Sequence, residues 1–262
     1  MQQSQIDILD PARANALFVT LGMTDVVEVG DELPPFFHHI YFWDPQQAED
    51  LGRDGHPKTG KGLIPDLGLP RRMWAGGQLE FLAPLRVGQE ATKTSIVHKT
   101  VQKTGRTGPL AFVTLLHEIS QNGQICLREF QDLVYREDPD PSTPSPLPQM
   151  AETDETDRQK TAFSTTQLFR YSALTFNGHR IHYDLDYARD IEGYDGLVTH
   201  GPLLAQLLML QAKHHLGSLS KFSFRGTAPL MHFETADLCW KAGQSWVRAA
   251  DGRVCMTAQS HA

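Results

Sequence analysis

The run from Leu203 to Leu216 constrains this chain more than any other stretch. Leu203, Leu204, Leu207, Leu208, Met209 and Leu210 leave no polar face for two turns of a helix. Such a helix must be enclosed, so the rest of the chain has to supply a surface that wraps it. Pro202 suits the first helical position, where its missing N–H would be unpaired anyway, and Gly217 suits the stop. A buried helix that starts at Gly201-Pro202 presents free backbone donors and a positive dipole end at that point.

Just upstream lies a group of polar side chains. Ser164 and Gln167 have the spacing of a capping box, with Phe163 placed as a staple, so a short helix is expected from there. Phe176-Asn177-Gly178 breaks the helical pattern. Asn177, His179 and His182 therefore fall on a turn, followed at some distance by Thr199, His200 and Gly201.

The other segments read more plainly. Residues 1 to about 30 suggest helix and then turns, with Asp10-Pro11 as a start. Phe36 to Trp43 is dense in aromatic residues and suggests core more than a ligand pocket. A long loop rich in Gly and Pro then runs to Pro70; loops of that length usually line functional surfaces. Strand signals dominate from Gln78 to Tyr135, rich in Thr, Val, Ile and Phe, with a hairpin at Asn122-Gly123. Glu137 to Gln159 carries five prolines and almost no large apolar side chain, which reads as an exposed linker. Strand signals return from Lys221 to Ala262.

A short repeat relates the two sides of that linker. Ala83-Pro84-Leu85 matches Ala228-Pro229-Leu230, and Asn122-Gly123 with Cys126 matches Asp251-Gly252 with Cys255. The division that follows is an N-terminal unit at 1–137, a linker at 138–160 and a C-terminal unit at 161–262, a duplicated α+β arrangement.

Composition removes several functions. The chain has 262 residues and a formal net charge of −7, which argues against a general nucleic-acid surface. Its three cysteines form neither a metal-ligand spacing nor a paired framework. His38-His39 and His214-His215 have no cysteine or carboxylate at ligand spacing, so no metal is expected. No N-terminal stretch has signal-peptide form and no run is long enough to span a bilayer, so a soluble, cytoplasmic protein without a membrane partner is expected.

The segment from Tyr171 to Asp184, followed by Gly196 to Leu204, resembles the hydratase motif of MaoC-like, R-specific enoyl-CoA hydratases. Leu69 to Gly77 and Phe81 to Gly88 are similar to the branch with mesaconyl-C4-CoA and itaconyl-CoA hydratases and mitochondrial-type hydroxyacyl-thioester dehydratases. The resemblance implies a double hotdog, two units each with a long helix wrapped by an antiparallel sheet, the first without catalytic residues. It also implies an acyl-CoA substrate, no cofactor apart from the coenzyme A the substrate carries, and, by analogy among hotdog proteins, a homodimer. One departure stands out: Asn177 occupies the position where R-specific hydratases generally have aspartate. An amide is no base near neutral pH, so proton transfer shifts to His182.

Adding water to an unsaturated thioester needs a base for the water, stabilisation of the enolate oxygen and a proton for the α-carbon. His182 is expected to serve as general base and acid, Asn177 to orient the water, and the Gly201 N–H to polarise the thioester carbonyl. His179 and His200 are candidates for supporting positions, and His179 also for contact with the substrate. Arg71, Arg72 and Arg225 are candidates for a substrate carboxylate or the CoA phosphates, since a guanidinium fork suits both; surface solvation is the alternative for each. The expected function is hydration of itaconyl-CoA or mesaconyl-C4-CoA to citramalyl-CoA. The alternatives are a fatty-acid-type 3-hydroxyacyl-thioester dehydratase, a hotdog acyl-CoA thioesterase, or a duplicated binding module without activity.

Overall fold

The computed structural model describes residues 1–105, 108–138 and 147–262. Its strands are β1 (Gln2–Ile8), β2 (Arg71–Phe81), β3 (Glu90–Gly105), β4 (Gly108–Gln121), β5 (Gln124–Arg136), β6 (Asp157–Ala162), β7 (Lys221–Gly226), β8 (Thr235–Lys241), β9 (Gln244–Ala249) and β10 (Val254–His261). The helices are α1 (Pro11–Thr20), α2 (Thr165–Leu174) and α3 (Gly201–Leu216). All the strands join one sheet in the order β1-β3-β4-β5-β2-β7-β10-β9-β8-β6.

That order is a palindrome of equivalent strands about the β2–β7 seam, where Gly76 pairs with Arg225 and Glu80 with Lys221. The repeat seen in the sequence has a backbone cause. The Leu82 and Ala83 N–H groups both donate to the Cys126 carbonyl, at 2.8 and 3.1 Å. The Thr227 and Ala228 N–H groups both donate to the Cys255 carbonyl, at 2.9 and 3.3 Å. Each Ala-Pro-Leu step thus turns over the strand that follows its own hairpin. The fold is α+β, an antiparallel double hotdog.

Helix α3 lies inside the second half as its all-round apolar surface requires. Leu203, Leu204, Ala205, Leu208, Met209 and Ala212 are buried in the main core. Each large side chain there contributes about 1.5–3 kcal/mol by leaving water. The NH2 ends of its two buried amides are bonded, Gln206 to the Pro35 carbonyl at 2.9 Å and Gln211 to the Leu238 carbonyl at 3.2 Å, while their Oε1 atoms find no partner among the described residues. Gly217 ends it at φ 77° and donates back to the Lys213 carbonyl.

Several expectations change. A long helix in each unit is not what the first half has. Between α1 and β2 it carries only the short 3-10 turns Phe37–Ile40 and Ala48–Asp50. The aromatic segment is core, with Phe36, Phe37, Ile40, Tyr41 and Phe42 buried. The N-terminus is not helical at first: β1 pairs with β3, its polar alternation being that of an exposed edge strand. The capping box is half formed, since the Gln167 N–H donates to Ser164 Oγ but the Gln167 side chain donates to the Thr20 carbonyl instead. That bond helps tie α2 to α1. Of the segment read as a linker, residues 139–146 lie outside the described residues. Its last four belong to β6, and Ala151 and Gln149 bond to Gly252 and Val254, so its end is held on the second half.

Candidate active site

The turn after α2 is built to aim imidazoles inward. Phe176 takes a left-handed φ of 51° and stacks on Trp43 of the first half, ring centroids 5.3 Å apart. Trp43 also donates to the Leu174 carbonyl at 3.0 Å, so the first half closes the C-terminal end of α2. The Asn177 N–H then donates to the Ser172 carbonyl, and Asn177 Oδ1 accepts the His179 N–H at 3.0 Å. The carbonyl of that side chain is therefore occupied, and its Nδ2 is the end left for another partner.

A 3-10 turn, Arg180–His182, follows and buries His182. Val198 donates to the Ile181 carbonyl at 2.9 Å, and its own carbonyl accepts from His182 Nδ1 at 2.7 Å. A carbonyl only accepts, so Nδ1 carries the proton and Nε2 is the basic nitrogen. Nε2 has no protein partner among the described residues. The His182 ring lies on His200, centroids 3.6 Å apart, with His179 edge-on at 5.4 Å. His200 Nε2 is hydrogen-bonded to Ser172 Oγ at 2.8 Å. Burial pushes His182 down to about 4, an effect the Val198 carbonyl partly offsets. Burial also holds His179 and His200 well below the usual histidine range. Around neutral pH the three rings are uncharged.

His200 immediately precedes α3, so the His182 stack places that ring beside the start of the helix. The Gly201 N–H has no acceptor among the described residues, and Pro202 follows it in the first turn. A Cβ on Gly201 would meet nothing closer than the Trp74 carbonyl at 3.9 Å. Protein packing therefore does not demand glycine there; a ligand approaching the backbone would. The His182 ring thus lies against His200 at the start of α3, and Asn177 sits on the same turn, bonded to the His179 N–H.

The first half contributes a loop that sequence reasoning did not assign. Its residues 52–57 rest on the histidine turn. The Arg180 N–H donates to the Asp54 carbonyl at 2.9 Å, and Gly55, at φ 87°, sits so close that a Cβ would overlap the Gly178 carbonyl. Asp54 Oδ2 accepts from His56 Nδ1 at 3.1 Å, and the His56 ring stands 4.6 Å from that of His179.

The three arginines separate. Arg71 is buried, 2.6 Å from Glu192 through Nε, and donates to the Glu192 carbonyl and Tyr194 hydroxyl. It locks the 187–194 segment and is not available to substrate, which corrects the expectation for that residue. Arg72, half-buried, makes no ion pair among the described residues; its charge acts on His56 and on Asp54. Arg225 is exposed opposite Gly76 on the seam, without a described partner.

Among the described residues, two groups of three donors have their ligand atoms within 4.8 Å of one another: Asp54, His56 and His179, and His38, His39 and Glu129. The second overturns the argument that the His38-His39 pair lacks a carboxylate. Glu129, 91 residues on, accepts from His38 Nε2 at 2.9 Å and His39 Nε2 at 3.0 Å. In both groups the carboxylate is satisfied by imidazole N–H groups. What sequence spacing missed here was tertiary pairing across the whole first half.

Comparison with known proteins gives a consistent picture. A family model described as hydroxyacyl-thioester dehydratase type 2 matches residues 36–232. A mesaconyl-C(4)-CoA hydratase of Chloroflexus aurantiacus is 45% identical over 222 residues, 84% of this chain and 79% of that protein. A mitochondrial hydroxyacyl-thioester dehydratase type 2 of Saccharomyces cerevisiae is 32% identical, covering 65% of this chain and 63% of its own. Among solved structures, a MaoC-like dehydratase from Phytophthora capsici superposes with a TM-score of 0.71 at 15% identity, covering 100% of this chain and 95% of that one. A Mycobacterium tuberculosis protein with a double hotdog fold gives 0.62 at 12% identity, over 99% and 94%.

Proposed function

The chain belongs to the hydroxyacyl-thioester dehydratase type 2 family, within the MaoC-like double hotdog proteins, and from that premise we propose that it adds water reversibly to a short, carboxylate-bearing enoyl-CoA. It is an enzyme of the enoyl-CoA hydratase type. The substrates we favour are mesaconyl-C4-CoA and itaconyl-CoA, either of which gives citramalyl-CoA on hydration. The similarity to a mesaconyl-C(4)-CoA hydratase supports that choice, as does an Arg72 guanidinium beside the site with no ion-pair partner among the described residues.

One observation carries the mechanism: His182 is held by its Nδ1 on the Val198 carbonyl, so Nε2 is left basic beside the free end of α3. In the hydration direction Nε2 removes a proton from water as the water oxygen bonds the β-carbon. The Asn177 amide orients that water. The π pair moves onto the thioester oxygen, where the Gly201 N–H and the helix dipole stabilise the charge. The α-carbon of mesaconyl-C4-CoA then takes a proton; itaconyl-CoA, whose double bond is β,γ to the thioester, follows this route only after that double bond shifts into conjugation with the thioester. Arg72 binds the substrate carboxylate, with Arg225 a candidate for CoA phosphate; His179 packs beside the acyl group. The acyl-CoA is the required partner, and a homodimer is the expected assembly. No helix among the described residues is long and apolar enough to cross a membrane.

The identity to the yeast dehydratase supports a second reading, a fatty-acid-type 3-hydroxyacyl-thioester dehydratase. Incubation with mesaconyl-C4-CoA, itaconyl-CoA and crotonyl-CoA separates the two. Loss of enoyl absorbance with the thioester intact, fastest for the dicarboxylic substrates, is expected. Preference for crotonyl-CoA favours the second reading, and thiol release would mean a thioesterase.

A further inference from the structure

We propose that Asp54 and His56 form a second proton-transfer unit of the site, supplying from the first half the carboxylate-backed imidazole that an amide at position 177 does not provide. The inference rests on the hydratase reading above. Asp54 Oδ1 accepts the His56 N–H at 3.0 Å and Oδ2 accepts His56 Nδ1–H at 3.1 Å. The proton is thereby fixed on Nδ1 and the other nitrogen, Nε2, faces no protein partner among the described residues. This is the arrangement in which a carboxylate orients an imidazole and stabilises its protonated form. The ring is 4.6 Å from His179, and His179 is 5.4 Å from His182, so His179 neighbours an imidazole of each half. His182 by contrast bonds the Val198 carbonyl and has no carboxylate partner among the described residues.

Placement of the pair does not depend on its own side chains. The Asp54 carbonyl takes the Arg180 N–H, and Gly55 lies on Gly178 backbone to backbone. A chain that needed this loop only as a lid would not need an Asp–His pair on it.

The protons balance as follows. His182 Nε2 takes one proton from water while the remaining hydroxide bonds the β-carbon and the π pair moves to the thioester oxygen. When the enolate collapses, the α-carbon takes the Nε2 proton of a protonated His56, which returns to neutral. The proton left on His182 passes back to His56 across His179 or through water, restoring the starting state.

The groups that face His56 are Asp54 and Arg72 from the first half and His179 and His182 from the second. Burial and the Arg72 charge hold the His56 imidazole below its ordinary range, and Asp54 opposes them. A substrate carboxylate on Arg72 cancels the opposing charge and favours protonated His56. A dicarboxylic substrate therefore charges its own acid, and a neutral acyl group does not.

The test uses the full chain with His56→Gln and Asp54→Asn, assayed on mesaconyl-C4-CoA and crotonyl-CoA across pH. His56→Gln is expected to lower kcat by about 100-fold or more with KM little changed, the size of a lost general acid. In wild type the alkaline limb of kcat is expected at higher pH for mesaconyl-C4-CoA than for crotonyl-CoA, and that difference should vanish in His56→Gln. Asp54→Asn keeps an acceptor for the His56 N–H and guards against misfolding; it should lower kcat in the same direction. An active wild type matched within about threefold by both variants overturns this inference alone. A wild type inactive on every enoyl-CoA overturns the parent reading, and this one with it.

Discussion

The imidazole of His182 lies flat on that of His200, planes 20° apart and centroids 3.6 Å apart, with the outer edges fixed by the Val198 carbonyl and Ser172 Oγ. Two rings this close do not both carry charge. His200 therefore serves as a neutral backing plate, and His182 is the ring that exchanges protons.

Replacing His182 with Ala is expected to lower kcat by about 100- to 10,000-fold, the range for a general base. Binding of the enoyl-CoA, read by calorimetry, should stay near wild type. Turnover near wild type would end the role assigned to this residue.

Ser172→Ala leaves His200 Nε2 buried without its partner, and His200 Nδ1 already lacks one. A loss of about 1–3 kcal/mol is expected in denaturant unfolding, the cost of stranding a buried polar group. An unchanged midpoint would show that water replaces the hydroxyl.

Gly201→Ala separates packing from ligand approach. The added methyl has at least 3.9 Å to its nearest neighbour, so the melting temperature should hold. If the thioester oxygen docks on this amide, kcat/KM should fall by about tenfold or more. Full activity would move the oxyanion donor elsewhere.

Arg71→Ala and Arg72→Ala should diverge although the residues are neighbours. Removing Arg71 leaves Glu192 buried and unpaired, a loss of about 3–5 kcal/mol in stability. Arg72→Ala should leave stability nearly intact and raise KM for mesaconyl-C4-CoA while sparing crotonyl-CoA.

Acid should unfold the protein early. His182 and His38 are both pushed down to about 4 by burial. The unfolded chain binds protons on these groups near pH 6.5 and the folded chain does not, so stability is full above pH 6.5 and falls between 6.5 and about 4. Each group contributes on the order of 3 kcal/mol over that window. His182→Gln should flatten part of the decline in melts from pH 7.5 to 4.5; an equally steep decline would place the titration elsewhere.

What the sequence disclosed follows from locality. The enclosure of α3, the Asn122-Gly123 hairpin, the Ser164 cap and the paired Ala-Pro-Leu steps are each set by neighbouring residues, and each is visible in a short window. Asn177 and His182 are five positions apart, and their place together on the turn after α2 was legible for the same reason. Arg71 meets Glu192 across 121 residues, His38 meets Glu129 across 91, and Asp54 reaches Arg180 from the other half; no periodicity or spacing encodes such pairs. β1 was hidden because an edge strand with one polar face has the composition of a loop.

The two sides of the palindromic sheet differ between α1 and β2, where the first half has no second long helix. In an assembly of two identical subunits, any such alteration would be inherited by both sides at once. Covalent fusion removes that obligation: one copy can change its loops while its twin keeps the histidine turn. The loop carrying Asp54 and His56 uses that freedom: it belongs to one half and rests on the histidine turn of the other.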